Sequence, residues 1–269
     1  MQLTFLGVRG SIPVSGPQFN RYGGHSTCIA VSHGAGERPS LSLDAGSGLW
    51  GMTRMIEGGP FLGSILLSHL HWDHTLGLPF FGAGDREGSR VDVFMPAQGG
   101  RTGLELMSQM MAPPAFPITP EGLNGAWSFN AIEPGAFATD GFDVAACEVQ
   151  HKGGRTFGYR ISDGGGSVGF VPDHAPALGV SDETMATLSG VDVLIHDAQY
   201  VESERARADD YGHATIADAI AFAEKLEAKT LVLFHHGPHR VDEALDVITD
   251  GYVTDLNLVV AREEMSLAV

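Results

Sequence analysis

The run His69-Leu70-His71-Trp72-Asp73-His74 puts three imidazoles and a carboxylate within six residues. Imidazole nitrogen and carboxylate oxygen suit zinc and related divalent ions, and no sulfur ligand is required. The apolar stretch Ile65-Leu66-Leu67 precedes the run, so these groups stand at the end of an expected buried strand, where a rigid frame holds a loop. Such crowding points to a dinuclear metal site. Three later residues offer further ligands in the same setting. His151 comes after an apolar strand ending at Val149, Asp173 after Val168-Gly169-Phe170-Val171-Pro172, and His235 after Leu231-Val232-Leu233-Phe234. His236 adjoins His235 and competes with it, whereas His25, His33 and His239 read as solvated loop residues.

The elements that must carry these groups are legible as short β-type runs. Strands are expected over residues 3–6, 27–32, 41–43, 64–67, 91–94, 144–149, 156–161, 167–171, 191–195, 230–234 and 257–260. The glycine-rich stretch 162–167 reads as a hairpin turn. Between strands, residues 215–227 carry an apolar stripe of Ile216, Ala219, Ile220, Ala223 and Leu226 at helical spacing. Weaker helical patterns cover 49–56, 102–111, 182–188 and 242–249. Strands and helices mix in both halves without a long linker, so the expected fold is a single α/β domain over 1–269, with layered sheets flanked by helices. Residues 82–137 look least regular. Their Met-Met-Ala-Pro-Pro-Ala-Phe-Pro-Ile segment, within 107–120, reads either as an insertion offering a partner surface or lid, or as a stiff loop packed on its own domain.

With the ligand candidates in place, the chain resembles the metallo-β-lactamase superfamily along nearly its whole length. The likeness rests on the His-x-His-x-Asp-His box, the downstream His, the Asp after a strand and the final His after a strand. It implies a four-layer αβ/βα sandwich with the metals at one edge between the sheets. By position, His69, His71 and His151 would hold one metal, Asp73, His74 and His235 the other, and Asp173 would bridge them. The family pattern favours His235 over His236.

Other stretches resemble one branch, the tRNase Z-like and PhnP-like cyclic phosphodiesterases. Gly212-His213-Ala214-Thr215 is similar to its Gly-His-Ser-Thr motif, and His196-Asp197-Ala198-Gln199 to its His-Glu-Ala-Thr motif. The glycine-rich stretches 5–13 and 21–27 fit the same branch, and Asp44 in Leu43-Asp44-Ala45-Gly46 would orient the metal loop. The resemblance implies phosphodiester hydrolysis. By that resemblance two cations would ionise a water for attack on phosphorus. His213, held by Asp197, would serve the leaving oxygen, and Asp73 would be a ligand and a candidate proton acceptor. Zn2+ is the expected cofactor, with Mn2+ as the alternative. Arg9, Lys152 and Arg155 are the cations expected to contact the substrate phosphate.

Composition narrows the substrate. The formal net charge of −17 disfavours long nucleic acid, because counterion displacement needs an excess of Lys and Arg. A small, cyclic nucleotide or phosphate diester is therefore expected. A tRNA 3′-processing endoribonuclease and a thioesterase or lactonase are the rivals. No apolar run approaches the roughly 20 residues that span a bilayer, and the first residues read as a strand rather than a leader. Cys28 and Cys147 are too few for a disulfide framework and read as small buried hydrophobes. A cytoplasmic enzyme is expected, with a homodimer through the Met/Pro/Phe segment as one possible assembly.

Overall fold

Aliphatic and β-branched runs, cut by glycine and proline, set the strands of the computed structural model, which describes residues 1–269. The first half contains β1 (Gln2–Gly7), β2 (Cys28–Ser32), β3 (Leu41–Leu43), α1 (Leu49–Met55), β4 (Leu62–Leu66) and the single turn α2 (Trp72–Thr75). It continues with β5 (Arg90–Pro96), α3 (Gly103–Met110) and β6 (Ala126–Ile132). The second half opens with β7 (Gly135–Thr139), β8 (Phe142–Val149), β9 (Thr156–Ser162), β10 (Ser167–Val171) and α4 (Asp182–Leu188). Next come β11 (Val193–Asp197), α5 (Arg205–Tyr211), α6 (Ile216–Lys225), β12 (Thr230–Phe234), α7 (Asp242–Asp246), β13 (Asn257–Val260) and β14 (Ser266–Ala268).

These strands build two seven-stranded sheets, ordered β14-β1-β2-β3-β4-β5-β6 and β13-β12-β11-β10-β9-β8-β7. In each sheet one block is parallel: β3 to β6 in the first, β10 to β13 in the second. Strands such as β2, β10 and β11 are buried at every position. That is the pattern of sheets covered on both faces. One core cluster joins Leu3, Phe5 and Ile29 of the first sheet to Phe157, Phe170 and Phe234 of the second. The Phe5 and Phe234 rings lie 6.1 Å apart. A second cluster seats α6, with Ile216, Ala219 and Ala223, on the outer face of β11 and β12. A third seats Leu49, Met52 and Leu106 on the outer face of the first sheet. The layers are therefore helix, sheet, sheet and helix, as expected. No helix is long and apolar enough to cross a membrane.

Residues 82–137 are more regular than their composition suggests. They hold β5, α3, β6 and the start of β7, and their longest stretch without a strand or α-helix is 111–125. Glu105 closes a capping box on Thr102 that starts α3. In the proline-rich part, the Phe116 ring meets Phe80 at 5.8 Å. Strands β6, β7 and β14 are not legible in the sequence because they are partly exposed strands at sheet edges, whose apolar pattern is weak. Helix α5 is polar almost all round, with Ala208 its one buried residue, so it shows no apolar stripe.

The sheets are also tied by a polar contact beside the ligand run. The buried Tyr159 hydroxyl of β9 donates to the carbonyl of Leu67, just past β4, at 2.8 Å. Tyr159→Phe keeps the packing but strands a buried acceptor, a loss of about 1–3 kcal/mol. Urea unfolding should show a lower midpoint with unchanged slope.

Candidate metal centre

Parallel strands bring their C-terminal ends to the same edge, which fixes where the chemistry can gather. Asp44 follows β3, the ligand run follows β4, Asp173 follows β10, Asp197 ends β11 and His235 follows β12. His151 follows the antiparallel β8 and reaches the same place. Two groupings result, each with its ligand atoms within 4.8 Å of one another: His69, His71, His151 and Asp173; and Asp73, His74 and His235. Asp173 lies between them. Its Oδ2 is 3.8 Å from His69 Nε2 and 3.5 Å from His151 Nε2, while its Oδ1 is 3.1 Å from His74 Nε2 and 3.2 Å from His235 Nε2. Asp73 Oδ2 approaches the same nitrogens of His74 and His235, each at 3.2 Å. His213 forms a further grouping with Asp173 and His235.

Outer partners decide which ring nitrogen faces inward. His74 Nδ1 donates to Asp44 Oδ2 at 2.6 Å, and His151 Nδ1 donates to the Gly212 carbonyl at 2.7 Å. Ser68 Oγ lies 3.1 Å from His69 Nδ1. In each case Nε2 is left to point at the centre, the arrangement that orients metal-binding histidines. Asp44 is itself held by the backbone N–H of Ser68 at 2.7 Å and by its hydroxyl at 3.0 Å. The N–H of Ser11 donates to Asp73 Oδ2 at 2.7 Å.

Backbone strain collects here. Ser11, Asp44 and His235 have φ of 66°, 57° and 59°, in the left-handed region that non-glycine residues seldom occupy. Gly10 leaves room for His235, since a Cβ there would lie 2.3 Å from its Nδ1. Gly212 ends α5 at φ 77°, which turns its carbonyl toward His151.

Burial raises the cost of charge throughout the cluster, and neighbours decide which groups keep it. Burial, then the charge of His74, holds His69 well below the ordinary histidine range. Burial lowers His71 and His151 too. Asp73 and Asp173 overcome burial through the histidines around them and stay well below the carboxylate range. His74 overcomes it through Asp73, Asp173 and Asp44 and is held well above its ordinary value. His213 Nδ1 donates to Asp197 Oδ2 at 2.8 Å. Against the effect of burial, Asp197 pushes His213 up to about 9.

The donor set suits a divalent cation. His69 Nε2, His74 Nε2 and Asp173 Oδ1 are buried without hydrogen-bond partners and converge on one place. Buried polar atoms left like this cost about 1–3 kcal/mol each, and divalent cations in the two adjoining groupings would relieve them. The adjoining cleft has a volume of about 530 Å³ and is lined by Ser11, Leu70, His71, Trp72, Asp73, His151, Lys152, Gly153, Asp173, Tyr211, His213 and His235.

Of the three cations expected to contact phosphate, only Lys152 lines this cleft, and its Nζ donates to the Asp210 carbonyl at 2.6 Å. Arg9 is a correction. It is fully buried, and its guanidinium donates to the carbonyls of Gly23 and Arg240 at 2.7 and 2.6 Å. Arg155 is another: it pairs with Glu133 at 2.8 Å and Glu148 at 2.9 Å and borders a smaller neighbouring cleft. His236 turns away from the centre, its Nε2 donating to the Ala261 carbonyl at 2.8 Å. His25 is half-buried rather than solvated, its Nδ1 3.2 Å from Ser47 Oγ. His33 and His239 are exposed, as expected. Ser11, Trp72 and Tyr211 were missed as cleft residues, although each adjoins a motif residue in sequence.

Two layered sheets with a His/Asp cluster at one shared edge define a class of metal-binding α/β sandwich. Residues 40–236 match the family model described as "Beta-lactamase superfamily domain", and the chain belongs to the metallo-β-lactamase superfamily. It is similar to ribonuclease Z of Natronomonas pharaonis, at 22% identity over 87% of this chain and 86% of the relative. It also resembles ribonuclease Z of Bradyrhizobium diazoefficiens, at 27% identity over 90% of this chain and 92% of the relative. Among solved structures, the metallo-β-lactamase fold protein YhfI from Bacillus subtilis superposes with TM-score 0.76 at 17% identity, covering 99% of both chains. A diphosphatase of the PhnP family gives 0.71 at 18% identity, over 100% of this chain and 97% of the other. Zn2+-bound PqqB from Methylobacterium extorquens gives 0.69 at 21%, over 100% of both. The chain is a metal-dependent hydrolase of this superfamily.

Because Asp44 orients His74, Asp44→Asn should weaken zinc binding about 10–100-fold. Competition titration with a chromophoric chelator measures this. Asn tolerates the left-handed backbone, so the circular dichroism spectrum should stay as in the wild type.

Proposed function

We propose that the chain is a dinuclear-metal phosphodiesterase acting on a small nucleotide or cyclic phosphate diester. The observation that carries this reading is the His213–Asp197 pair at the edge of the ligand cluster. A thioester releases a weakly basic thiolate and has less need of a separate acid than a phosphodiester that releases an alkoxide. His69, His71 and His151 would hold one cation and Asp73, His74 and His235 the other, with Asp173 between them. Zn2+ is the favoured ion, in keeping with the Zn2+-bound PqqB neighbour, and Mn2+ the alternative. When bound, such cations activate water and neutralise phosphate charge.

The chain's own residues do the rest. With Nδ1 committed to Asp197, His213 leaves Nε2 for the cleft, and its raised pKa keeps a proton there at neutral pH. That proton goes to the leaving oxygen. The Ser11 N–H holds the Asp73 carboxylate against His74 and His235. Lys152 offers an amine at the rim. The two buried, unpaired cysteines agree with a reducing cytoplasm.

Relatives named ribonuclease Z, matched over most of their length, favour a second reading as a tRNA 3′-processing endoribonuclease. Against it stand the net charge of −17 and a cleft with one lysine and no arginine. Zn2+- or Mn2+-loaded protein should hydrolyse bis-p-nitrophenyl phosphate and cyclic nucleotides with higher kcat/KM than it cleaves precursor tRNA. The reverse order would establish the second reading.

His213→Ala should lower kcat about 10²–10⁴-fold. Its proton is present below a pKa of about 9 and lost above it, so the rate should fall on the alkaline side. Asp197→Asn removes the charge that raises this pKa and should move the falling limb to lower pH in a kcat profile. A wild-type profile without an alkaline limb would remove His213 as the acid.

A further inference from the structure

The mouth of the cleft holds an arrangement that the ligand set does not use. Trp72 is 78% exposed and Tyr211 55% exposed, and both line the cleft. They come from opposite halves of the molecule. Trp72 opens the turn α2 after β4, inside the ligand run, and Tyr211 closes α5, immediately before Gly212 and His213. Exposed rings of this size are not explained by the core, since neither belongs to a core cluster. Both are tethered by functional neighbours, so their positions are tied to that of the reacting centre.

Within this cleft side-chain charge offers little for recognition. Lys152 is the sole lysine or arginine among its lining residues, and its amine is engaged by Asp210, through the carbonyl at 2.6 Å and the carboxylate at 3.5 Å. Arginines Arg101 and Arg155 line the neighbouring cleft beyond His71 and Gly153, so a polyanion leaving on the Trp72 and Tyr211 side would meet little to neutralise it. A flat, uncharged ring would find two aromatic side chains in the lining, and stacking serves any base because every base has a π-face. The volume of about 530 Å³ is within the range for a small-molecule ligand.

We propose that Trp72 and Tyr211 are specificity residues that stack on the nucleobase of a mononucleotide diester, so that the enzyme prefers nucleotides to cyclic phosphates of bare sugars. The proposal rests on the phosphodiesterase reading above and adds the substrate class. Polar groups at the floor take the phosphate, and the aromatic pair at the mouth takes the base.

Calorimetric titration of zinc-loaded protein with 5′-AMP and with ribose 5-phosphate tests it, because the two ligands share sugar and phosphate and differ in the base. The wild type should bind AMP about tenfold more tightly or better. Trp72→Ala and Tyr211→Ala should each reduce that gap several-fold, and Trp72→Phe should keep most of it. Equal binding of the two ligands by the wild type, or a gap that survives in both alanine variants, overturns the stacking role. Hydrolysis of bis-p-nitrophenyl phosphate is run alongside. If it proceeds while the gap is absent, the phosphodiesterase reading survives and the stacking proposal does not. If the wild type neither hydrolyses it nor binds either ligand, both fall.

Discussion

The carboxylate of Asp173, enclosed among imidazoles, is the contact from which the rest of the molecule takes its geometry. Its two oxygens face different histidine pairs at 3.1–3.8 Å. Burial alone would drive this group toward neutrality. It stays ionised because His235, His74 and His69 surround it, and they stay in place because two sheets deliver them to one edge. A buried cluster of this kind is expensive without a cation to bind. The fold supports it with strand ends, left-handed turns at Ser11, Asp44 and His235, and a ring of outer hydrogen bonds.

That outer ring explains how a metal hydrolase scaffold acquires a particular reaction. Asp44 and the Gly212 carbonyl each turn a ring so that Nε2 faces inward. Asp197 treats His213 in the same way, yet His213 stands at the edge of the cluster and lines the open cleft. One structural device therefore serves two settings: histidines whose Nε2 faces the buried donor cluster, and a histidine whose Nε2 is left for the cleft. Asp197 also accepts from the backbone N–H groups of His174, Gln199 and Ala214, which fixes its carboxylate before any substrate arrives. Preorganisation of this kind, in the proposed reaction, would leave the His213 proton in place without reorganisation.

Much of this was open to inspection in the residues themselves. The ligand run, His151, Asp173 and His235 all stand after apolar runs, and strand ends are where side chains leave the sheet, whereas His213 follows the polar helix α5 and was legible by its motif. Edge strands β6, β7 and β14 were not legible, because a neighbouring strand rather than local pattern stabilises them. Helix α5 was hidden for a similar reason, having almost no buried face. Arg9 shows the opposite error. An arginine in a glycine-rich loop suggests a phosphate contact, but this one is folded inward to bind the carbonyls of Gly23 and Arg240.

The sequence by itself therefore determined the donor types, their order along the chain and the superfamily, since metal chemistry restricts ligands to a few residue types and strands announce themselves by composition. Only the tertiary structure decided which nitrogen of each ring faces the centre, that His235 and not His236 turns inward, and that Arg9 and Arg155 are committed elsewhere. It also decided that Trp72 and Tyr211 line one cleft. Those outcomes depend on contacts between residues far apart in the chain, where distance and direction count and spacing along the sequence carries no information.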